Sequence, residues 1–378
     1  MAEERTGAGG PDGGLEGVVA ASTRISSILD GVLTYAGYRI DDLAAHATFE
    51  ETVYLLWHLD LPDRSQLQAL RRDLDDAAPL PAGVVDVLRR LPPAAAPMDV
   101  LPTAVSLLAL YDGEAGTVTP EAGRRKAARL VARVPVLVAT HHRLRSGREP
   151  VPPVPGRGIA WNLLAMLHGA EPAPAEARAM DRALVLHADH ELNASTFAAR
   201  VAAATLSDLY AAVTAALAAL QGPLHGGAAA QVLDVMEEAG TADRAGRWLA
   251  EALAAGRRIP GFGHRVYRTG DPRARHLREA ARELAALRGE ERRLELWLRL
   301  EELVRERTGL FPNVDYYAAL VYRLLGVPRD LFAPVFAVAR TAGWTAHVLE
   351  QHANNRLIRP RAEYRGPGER PWRPLVER

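Results

Sequence analysis

The sequence of 378 residues contains no cysteine, and Lys126 is its only lysine. Without cysteine the chain can form neither disulfides nor thiolate metal sites, and it has no cysteine nucleophile. Basic and acidic residues number 46 each, so the formal net charge is zero and no positive surplus is present to attract a polyanion. Apolar runs such as residues 134–139 are far shorter than the roughly 20 residues of a membrane-spanning helix. The composition therefore argues against nucleic-acid and membrane partners.

What is present is typical of a globular protein, with 48% hydrophobic and 24% charged residues. The length allows two domains, or one large domain with an added lobe. Residues 1–14 are rich in glycine and charge, which predicts a disordered tail. This start carries no apolar signal core, so we expect a cytoplasmic protein. Because Lys126 is the only lysine, 45 of the 46 basic residues are arginine; codon bias explains most of them, but some could serve chemistry.

Helical periodicity dominates the chain and predicts an all-α protein. Thr48 with Glu51, and Ser65 with Gln68, have capping-box spacing ahead of apolar periodic stretches. Strand signals are confined to residues 25–33, which could form a small hairpin. Later helical patterns lie near residues 99–111, 120–146, 158–168, 175–191, 195–220, 227–239, 242–256, 272–287, 290–308, 313–325 and 328–350. No alternation of strands and helices indicates a nucleotide-binding sheet.

Two histidines lie beside glycines in predicted connections between helices. His225 precedes a Gly-Gly pair, and His264 follows a Gly-Phe-Gly turn, with Arg268 and Arg273 after it. Glycine lets a ligand approach the backbone, and a neutral histidine there can donate a hydrogen bond to a carbonyl that is becoming an enolate. The arginines suggest an anionic ligand. The alternatives are tight turns with incidental histidines and a chance cluster of a common residue.

Asp315 and Arg340 each occupy a predicted helix. Asp315 lies in a first turn, where an acid also stabilises the helix dipole without any catalytic role. Arg340 has Phe336 four residues before it and Trp344 four residues after it, so its guanidinium lies on an apolar face. Burying that charge is costly unless an anion or acid pairs with it. The alternative is that this face is exposed to solvent.

His187 and His190 are three residues apart, which would place both imidazoles on one face of a helix. As a metal motif this is weak, because the zincin pattern requires histidines four residues apart with a glutamate directly after the first. A partly buried histidine pair held by local carboxylates explains the pattern equally well.

Six segments, in this order, resemble the citrate synthase family, including its 2-methylcitrate synthase members. They are HADHELNAST at 187–196, GPLHGG at 222–227, GFGHRVY at 261–267, PNVDYY at 312–317, FAVARTAGW at 336–344 and NRLIRP at 355–360. Weaker similarity extends back to about residue 15. Any one motif could be accidental, but six in the right order are highly specific.

The resemblance implies a large helical domain, a smaller one that closes over the cleft between them, and a homodimer. On this basis residues 15–222 and 331–378 would form the large domain, and residues 223–330 the small one. Family members join an acyl-CoA to a 2-oxo acid and then hydrolyse the thioester. The partners would be oxaloacetate and an acyl-CoA, with no cofactor and no metal, since acetyl-CoA is a substrate.

The matching positions imply a role for each candidate residue. Asp315 would remove a proton from the acyl α-carbon, His225 would stabilise the enolate, and His264 would polarise the ketone of oxaloacetate. The α-proton of a thioester is too weakly acidic for a carboxylate to remove unaided, so the oxyanion must be stabilised at the same time. The implied binding residues are His190, Arg273, Arg340 and Arg359 for oxaloacetate, with Arg359 supplied by the other subunit, and Arg268, Gly261 and Gly263 for CoA.

The first hypothesis is therefore citrate synthase, and the close alternative is 2-methylcitrate synthase acting on propionyl-CoA. One methylene in an acyl pocket is worth only about 1–3 kcal/mol, which motifs cannot resolve. A catalytically silent family member with a binding or regulatory role is a second class of hypothesis, although it would not need His225, His264 and Asp315 together. A metalloprotein that uses His187 and His190 is a third.

Overall fold

The computed structural model describes residues 18–378, so the tail predicted for residues 1–14 lies outside the described residues. Within that range nearly all regular structure is helical, and the predicted all-α fold class is confirmed. None of the described helices is both long and apolar enough to cross a membrane.

The helices alternate with short connections along the chain. They are α1 (Ile40–His46), α2 (Phe49–His58), α3 (Arg64–Ala77), α4 (Ala82–Arg90), α5 (Pro97–Ala109), α6 (Pro120–Arg145), α7 (Ile159–His168), α8 (Pro174–His187), α9 (Ala194–Ala204), α10 (Leu209–Gln221), α11 (Ala228–Ala239), α12 (Ala242–Ala254), α13 (Pro272–Arg288), α14 (Glu291–Thr308), α15 (Val314–Leu324) and α16 (Phe332–Ala353). Short 3₁₀ turns occupy Arg329–Leu331 and Leu375–Glu377.

Three short strands precede α1 and form one antiparallel sheet in the order β1 (Ser26–Leu29), β2 (Val32–Tyr35) and β3 (Tyr38–Arg39). Ser26 lies opposite Tyr35 in the pairing of β1 with β2. Gly31 in the tight turn has a φ of 78°, a left-handed conformation that glycine adopts readily. The predicted hairpin is therefore present, with β3 as a third strand.

The starts of α2 and α3 follow the capping rules, with one difference from the prediction. Thr48 and Glu51 form the expected capping box at the start of α2. The box of α3 is formed by Asp63 and Gln66, not by the pair that begins at Ser65. The Asp63 carboxylate accepts the Gln66 N–H at 2.8 Å, which places Ser65 inside the first helical turn. The prediction for Ser65 was wrong because an aspartate two residues earlier supplies the cap.

Two later helical predictions also require correction. α8 ends at His187, so His187 and His190 do not share a helical face. The pattern at residues 195–220 is not one helix, because the chain breaks between α9 and α10. Leu206 there has a φ of 63°, and Asp208 caps α10 by accepting the Ala211 N–H at 3.0 Å.

The core surrounds α16, which packs against α2, α6, α8, α9 and α10. Every residue from 337 to 348 is buried, and a helix enclosed on all sides must present small or apolar side chains all round. Arg340 and His347 depart from that rule. α13 packs against α14 and α15, and also against α1 and α8. The segments that carry the candidate residues meet between α16, the end of α8, and the α13–α15 layer.

Candidate active site

The turn after α12 and the start of α15 are held together by backbone hydrogen bonds. The Gly263 N–H donates to the Phe311 carbonyl at 2.9 Å, and the Asn313 N–H donates to the Gly261 carbonyl at 2.8 Å. The side chain of Asn313 then caps α15 by accepting the N–H of Asp315 at 3.1 Å. The two segments that carry His264 and Asp315 are thus built as one unit.

Asp271 joins the start of α13 to this unit. Its carboxylate accepts two hydrogen bonds from the guanidinium of Arg273, from Nε at 2.9 Å and from Nη2 at 2.7 Å. It also accepts the backbone N–H of Val314 at 3.0 Å, one residue before Asp315. Both charged side chains are buried. Arg273 is therefore fixed in orientation, and its Nη1 makes no hydrogen bond within residues 18–378.

The hydrogen bonds around His264 define its tautomer. The backbone N–H groups of Val266 and Tyr267 both donate to His264 Nδ1, at 3.0 and 3.2 Å. Nδ1 must therefore be unprotonated, and the ring proton lies on Nε2. Burial, reinforced by the charge of Arg273, lowers the pKa of His264 to about 4. At neutral pH this residue is a neutral imidazole that can donate from Nε2.

His190 lies just past the end of α8 and packs edge-on against His264, with ring centroids 5.3 Å apart. Its Nε2 is 3.1 Å from the hydroxyl of Tyr267. Burial lowers the pKa of His190 well below its usual range, and the charges of Arg273 and Arg340 add to the effect. His190 is therefore a second neutral imidazole in contact with the His264 turn.

Buried hydrogen bonds support the turn that carries His190. The Ser26 hydroxyl donates to the Asp189 carboxylate at 2.5 Å, and the Tyr35 hydroxyl donates to the Asp189 carbonyl at 2.9 Å. From α16, His347 Nε2 is 3.3 Å from the same carboxylate. The N-terminal hairpin and α16 thus hold this turn from two sides.

Arg340 is 2% exposed within α16. Its Nε donates to the His187 carbonyl at 2.7 Å, and its Cζ lies 4.6 Å from the centroid of the Phe336 ring. Neither terminal nitrogen makes a hydrogen bond or ion pair among residues 18–378. Burial lowers the pKa of Arg340 to about 10, so it remains charged at neutral pH. The solvent-exposed alternative is wrong, and a buried cation without a carboxylate partner favours binding of an anion.

His225 follows α10 and contacts Ser195 at the start of α9. Its Nε2 is 2.9 Å from the Ser195 hydroxyl, which also accepts the indole N–H of Trp344 at 3.1 Å. Burial, followed by the charge of Arg340, lowers the pKa of His225 to about 4. His225 is therefore neutral at physiological pH.

The carboxylate of Asp315 makes no hydrogen bond or ion pair with any other described residue. Burial raises the pKa of Asp315 to about 6, against the opposing charge of Arg273. At neutral pH it is mostly ionised, yet it is a stronger base than an ordinary aspartate. A free carboxylate of this kind is suited to accept a proton.

Six of the sequence-predicted residues lie close enough together for the two arginine charges to act on the other four side chains. The charge of Arg340 acts on His225, His190 and Asp315. That of Arg273 acts on His190, His264 and Asp315 as well. The two remaining arginines are separate from them: Arg268 and Arg359 are exposed and make no hydrogen bond or ion pair with the six among residues 18–378.

Gly261 and Gly263 lie in the His264 turn with φ values of 85° and 78°. A Cβ added to Gly261 would lie 2.8 Å from Val232 Cγ2 and 2.9 Å from the Tyr316 ring. Both a left-handed backbone and close packing therefore require glycine at this position.

Sequence reasoning missed the roles of Ser195, Asp271 and Asp189. Ser195 and Asp189 lie inside a recognised motif, but nothing in their spacing shows that they contact His225 or Ser26. Asp271 directly precedes Pro272, a combination typical of a helix start, and this was a usable signal for a cap. Its second function, holding Arg273, depends on the rotamer and not on the sequence.

His187 and His190 do not form the metal-binding pair that the sequence offered as an alternative. The His187 side chain is buried, with Nδ1 2.7 Å from the Ala183 carbonyl, and burial lowers its pKa to about 3. His190 instead faces Tyr267. Among residues 18–378 no three His, Cys, Asp or Glu side chains are grouped so that they could hold a metal ion.

Comparison with known proteins identifies the family to which this chain belongs. The family model for the citrate synthase C-terminal domain matches residues 14–361. The chain belongs to the citrate synthase family. The resemblance drawn from the six motifs is thereby confirmed, and so is the enzyme class, an acyltransferase of the citrate synthase type.

Individual family members match over nearly their full length. Citrate synthase 2 of Bacillus subtilis is 51% identical over 366 residues, which cover 97% of this chain and 98% of the relative. 2-Methylcitrate synthase 2 of Corynebacterium glutamicum is 41% identical and covers 97% of each chain. A solved citrate synthase from Thermoplasma acidophilum, in a ternary complex with carboxymethyl coenzyme A and oxaloacetate, is 34% identical with a TM-score of 0.90, over 97% of this chain and 98% of that one.

Proposed function

We propose that this protein condenses acetyl-CoA with oxaloacetate and water to give citrate and CoA. One observation carries the proposal: a free carboxylate of raised pKa shares a site with two neutral imidazoles and a buried guanidinium that has no carboxylate partner. These are a base, two hydrogen-bond donors and an anion-binding group. Together they suit the removal of a carbon-bound proton beside a dianionic acceptor.

In the proposed first step, Asp315 removes a proton from the α-carbon of the acyl-CoA, and His225 donates a hydrogen bond to the thioester oxygen as it becomes an enolate. This requires a proton on His225 Nδ1 and a donor to Nε2. The Ser195 hydroxyl, which here donates to Asn193 Oδ1 at 2.7 Å, would rotate and donate to Nε2 across the 2.9 Å contact. Because burial keeps His225 neutral, it donates without protonating the enolate outright. A donor that is already in place when the negative charge develops on the oxygen stabilises that charge most strongly.

In the second step, the enolate carbon attacks the ketone carbon of oxaloacetate. His264 polarises the ketone through Nε2–H and transfers that proton to the new alkoxide. The two backbone N–H groups on Nδ1 support this tautomer. Water then hydrolyses the thioester bond, which releases citrate and CoA. The proton that Asp315 took from the α-carbon returns to Nε2 of His264, which restores both groups.

Substrate carboxylates would be bound by Arg273, Arg340 and His190. Guanidinium groups match carboxylates in a bidentate manner, and both arginines have unused N–H groups. We further propose that Arg359 reaches the site of a partner subunit in a homodimer, which is consistent with its exposed position after α16. CoA would lie along Gly261 and Gly263 with Arg268 near a phosphate. The Thermoplasma relative forms a ternary complex with carboxymethyl coenzyme A and oxaloacetate.

The proposal includes a large domain of residues 15–222 and 331–378 and a small domain of residues 223–330 that closes on it. Contacts across this boundary support a closed arrangement. Arg288 on α13 pairs with Glu176 on α8, and His276 Nε2 is 2.8 Å from the Asp41 carboxylate on α1. Closure would exclude water and strengthen the hydrogen bonds to the reacting oxygens.

A thiol-release assay with oxaloacetate and either acetyl-CoA or propionyl-CoA tests the proposal. We expect turnover in the presence of a chelator and a preference of more than tenfold for acetyl-CoA. The reverse preference would identify a 2-methylcitrate synthase, an activity that the Corynebacterium relative carries by name. Inactivity with both acyl-CoAs would support the catalytically silent alternative. Sedimentation of the purified protein tests the homodimer, and cell fractionation tests the expected cytoplasmic location.

A further inference from the structure

A cavity of about 360 Å³ lies in the helical body between α3, α6, α7 and the loop at residues 150–158. We name it the α3–α7 cavity. Its walls are mainly aliphatic and include Leu74, Val136 and Met166. None of its lining residues belongs to the candidate active site. Its volume is within the range of small-molecule sites, about 300–1,000 Å³.

One carboxylate faces this cavity from the buried interior. Glu50 on α2 is 4% exposed and lines the cavity. Its Oε1 accepts the N–H of Ile159 at 2.8 Å. Gly158 has no side chain with which to cap α7, so Glu50 supplies the cap. This bond accounts for one of the two carboxylate oxygens of Glu50. The second oxygen, Oε2, has no hydrogen-bond or ion-pair partner among residues 18–378.

A hydroxyl group in the same lining is also unused. Thr140 on α6 is 3% exposed, and its hydroxyl makes no hydrogen bond within the described part of the chain. Threonines in helices commonly bond the carbonyl four residues earlier, as Thr345 does at 2.8 Å. The Thr140 hydroxyl is open to the cavity, so a molecule in the cavity can form a hydrogen bond with it. Two buried polar groups that can accept a hydrogen bond therefore face one apolar cavity.

The charges around the cavity favour a cation. Asp75 also lines it, and its carboxylate accepts the Gly156 N–H at 2.9 Å. Burial and then the Glu50 charge raise the pKa of Asp181 to about 7, against the opposing charge of Arg71. The lining contains one cationic side chain, Arg71, which is exposed and makes no ion pair within residues 18–378.

We propose that the α3–α7 cavity binds an amphipathic organic ammonium ion. The ammonium group would donate to Glu50 Oε2 and to the Thr140 hydroxyl, and the hydrocarbon body would fill the aliphatic part of the cavity. An ammonium ion satisfies both acceptors and offsets the excess of carboxylates. A neutral molecule of the same shape would bury its body equally well but would leave Glu50 without a counter-charge.

Calorimetric titration of the full-length protein with 2-phenylethylamine, and with the matched neutral 2-phenylethanol, tests the proposal. We expect saturable binding of one amine per chain and roughly tenfold weaker binding of the alcohol, since a charged hydrogen bond is lost. Glu50→Gln should weaken amine binding by roughly the same factor for the same reason. Glu306→Gln, which removes an exposed carboxylate on α14, should leave amine binding unchanged.

Because Glu50 also caps α7, Glu50→Gln could fail to fold, and two further variants keep the test decisive. Thr140→Val removes the unbonded hydroxyl at nearly constant volume and should weaken the amine several-fold. Ala132→Leu should fill part of the cavity and exclude both probes. Absence of amine binding to the wild-type protein would overturn the proposal. So would equal affinity for amine and alcohol, or binding that survives in Thr140→Val and Ala132→Leu unchanged.

Discussion

Replacing Arg340 by methionine should separate the stability of the free protein from its ability to bind oxaloacetate. The guanidinium is buried in α16 without a carboxylate partner, and methionine has a similar length and suits an enclosed helix. We therefore expect Arg340→Met to weaken binding of oxaloacetate strongly while leaving the ligand-free fold as stable as before, or more stable.

The magnitude follows from the pKa. Burial depresses the pKa of Arg340 to about 10, and each pH unit of displacement represents about 1.4 kcal/mol, so the charge costs the free protein about 3 kcal/mol. The folded-state pKa is lowered and the side chain stays protonated below it. The cost is therefore fully present at neutral pH and disappears only as the pH rises above 10. Losing the bond from Nε to the His187 carbonyl removes about 1 kcal/mol, which leaves a net gain of about 1–2 kcal/mol.

Urea unfolding of the ligand-free proteins and calorimetric titration with oxaloacetate measure the two effects. Binding should weaken by about 100-fold or more, because a bidentate charged contact is worth about 3 kcal/mol. Arg178→Met, on the exposed face of α8 and outside every ion pair described for residues 18–378, is the matched control and should change neither quantity. A variant that lost more than about 2 kcal/mol of stability yet bound oxaloacetate normally would refute the reasoning.

Three further predictions concern the same site. Asp315→Ala should lose condensation but retain oxaloacetate binding, and wild-type turnover should fall as the pH drops through about 6, because protonation removes the base; a flat pH–rate profile would count against this role. Ser195→Ala should lower kcat roughly tenfold with unchanged oxaloacetate affinity, because the tautomer of His225 is no longer fixed. Gly261→Ala should reduce the free energy of unfolding by roughly 2 kcal/mol or more, because its Cβ meets packed side chains, whereas Gly31→Ala, with open space, should cost about 1 kcal/mol; equal losses in urea unfolding would contradict the packing argument.

The helical class and most element positions could be predicted from local sequence. Thr48 with Glu51 marks a helix start through bonds made within four residues, and the hairpin before α1 is equally local. The errors arose where a stronger signal competed nearby. Asp63 caps α3 in place of the Ser65 pair, and the Asp208 cap begins a new helix where periodicity continued.

For the candidate site, too, one part could be predicted from the sequence and another part could not. The sequence by itself determined the family, through six motifs in the right order, and that resemblance selected the candidate residues. Only the tertiary structure decided their chemical state. Whether Arg340 is buried and unpaired, or Asp315 more basic than usual, depends on desolvation by α16, α13 and α15, which are distant in sequence. Desolvation and charge pairing act through space, so they are fixed only when those helices pack together.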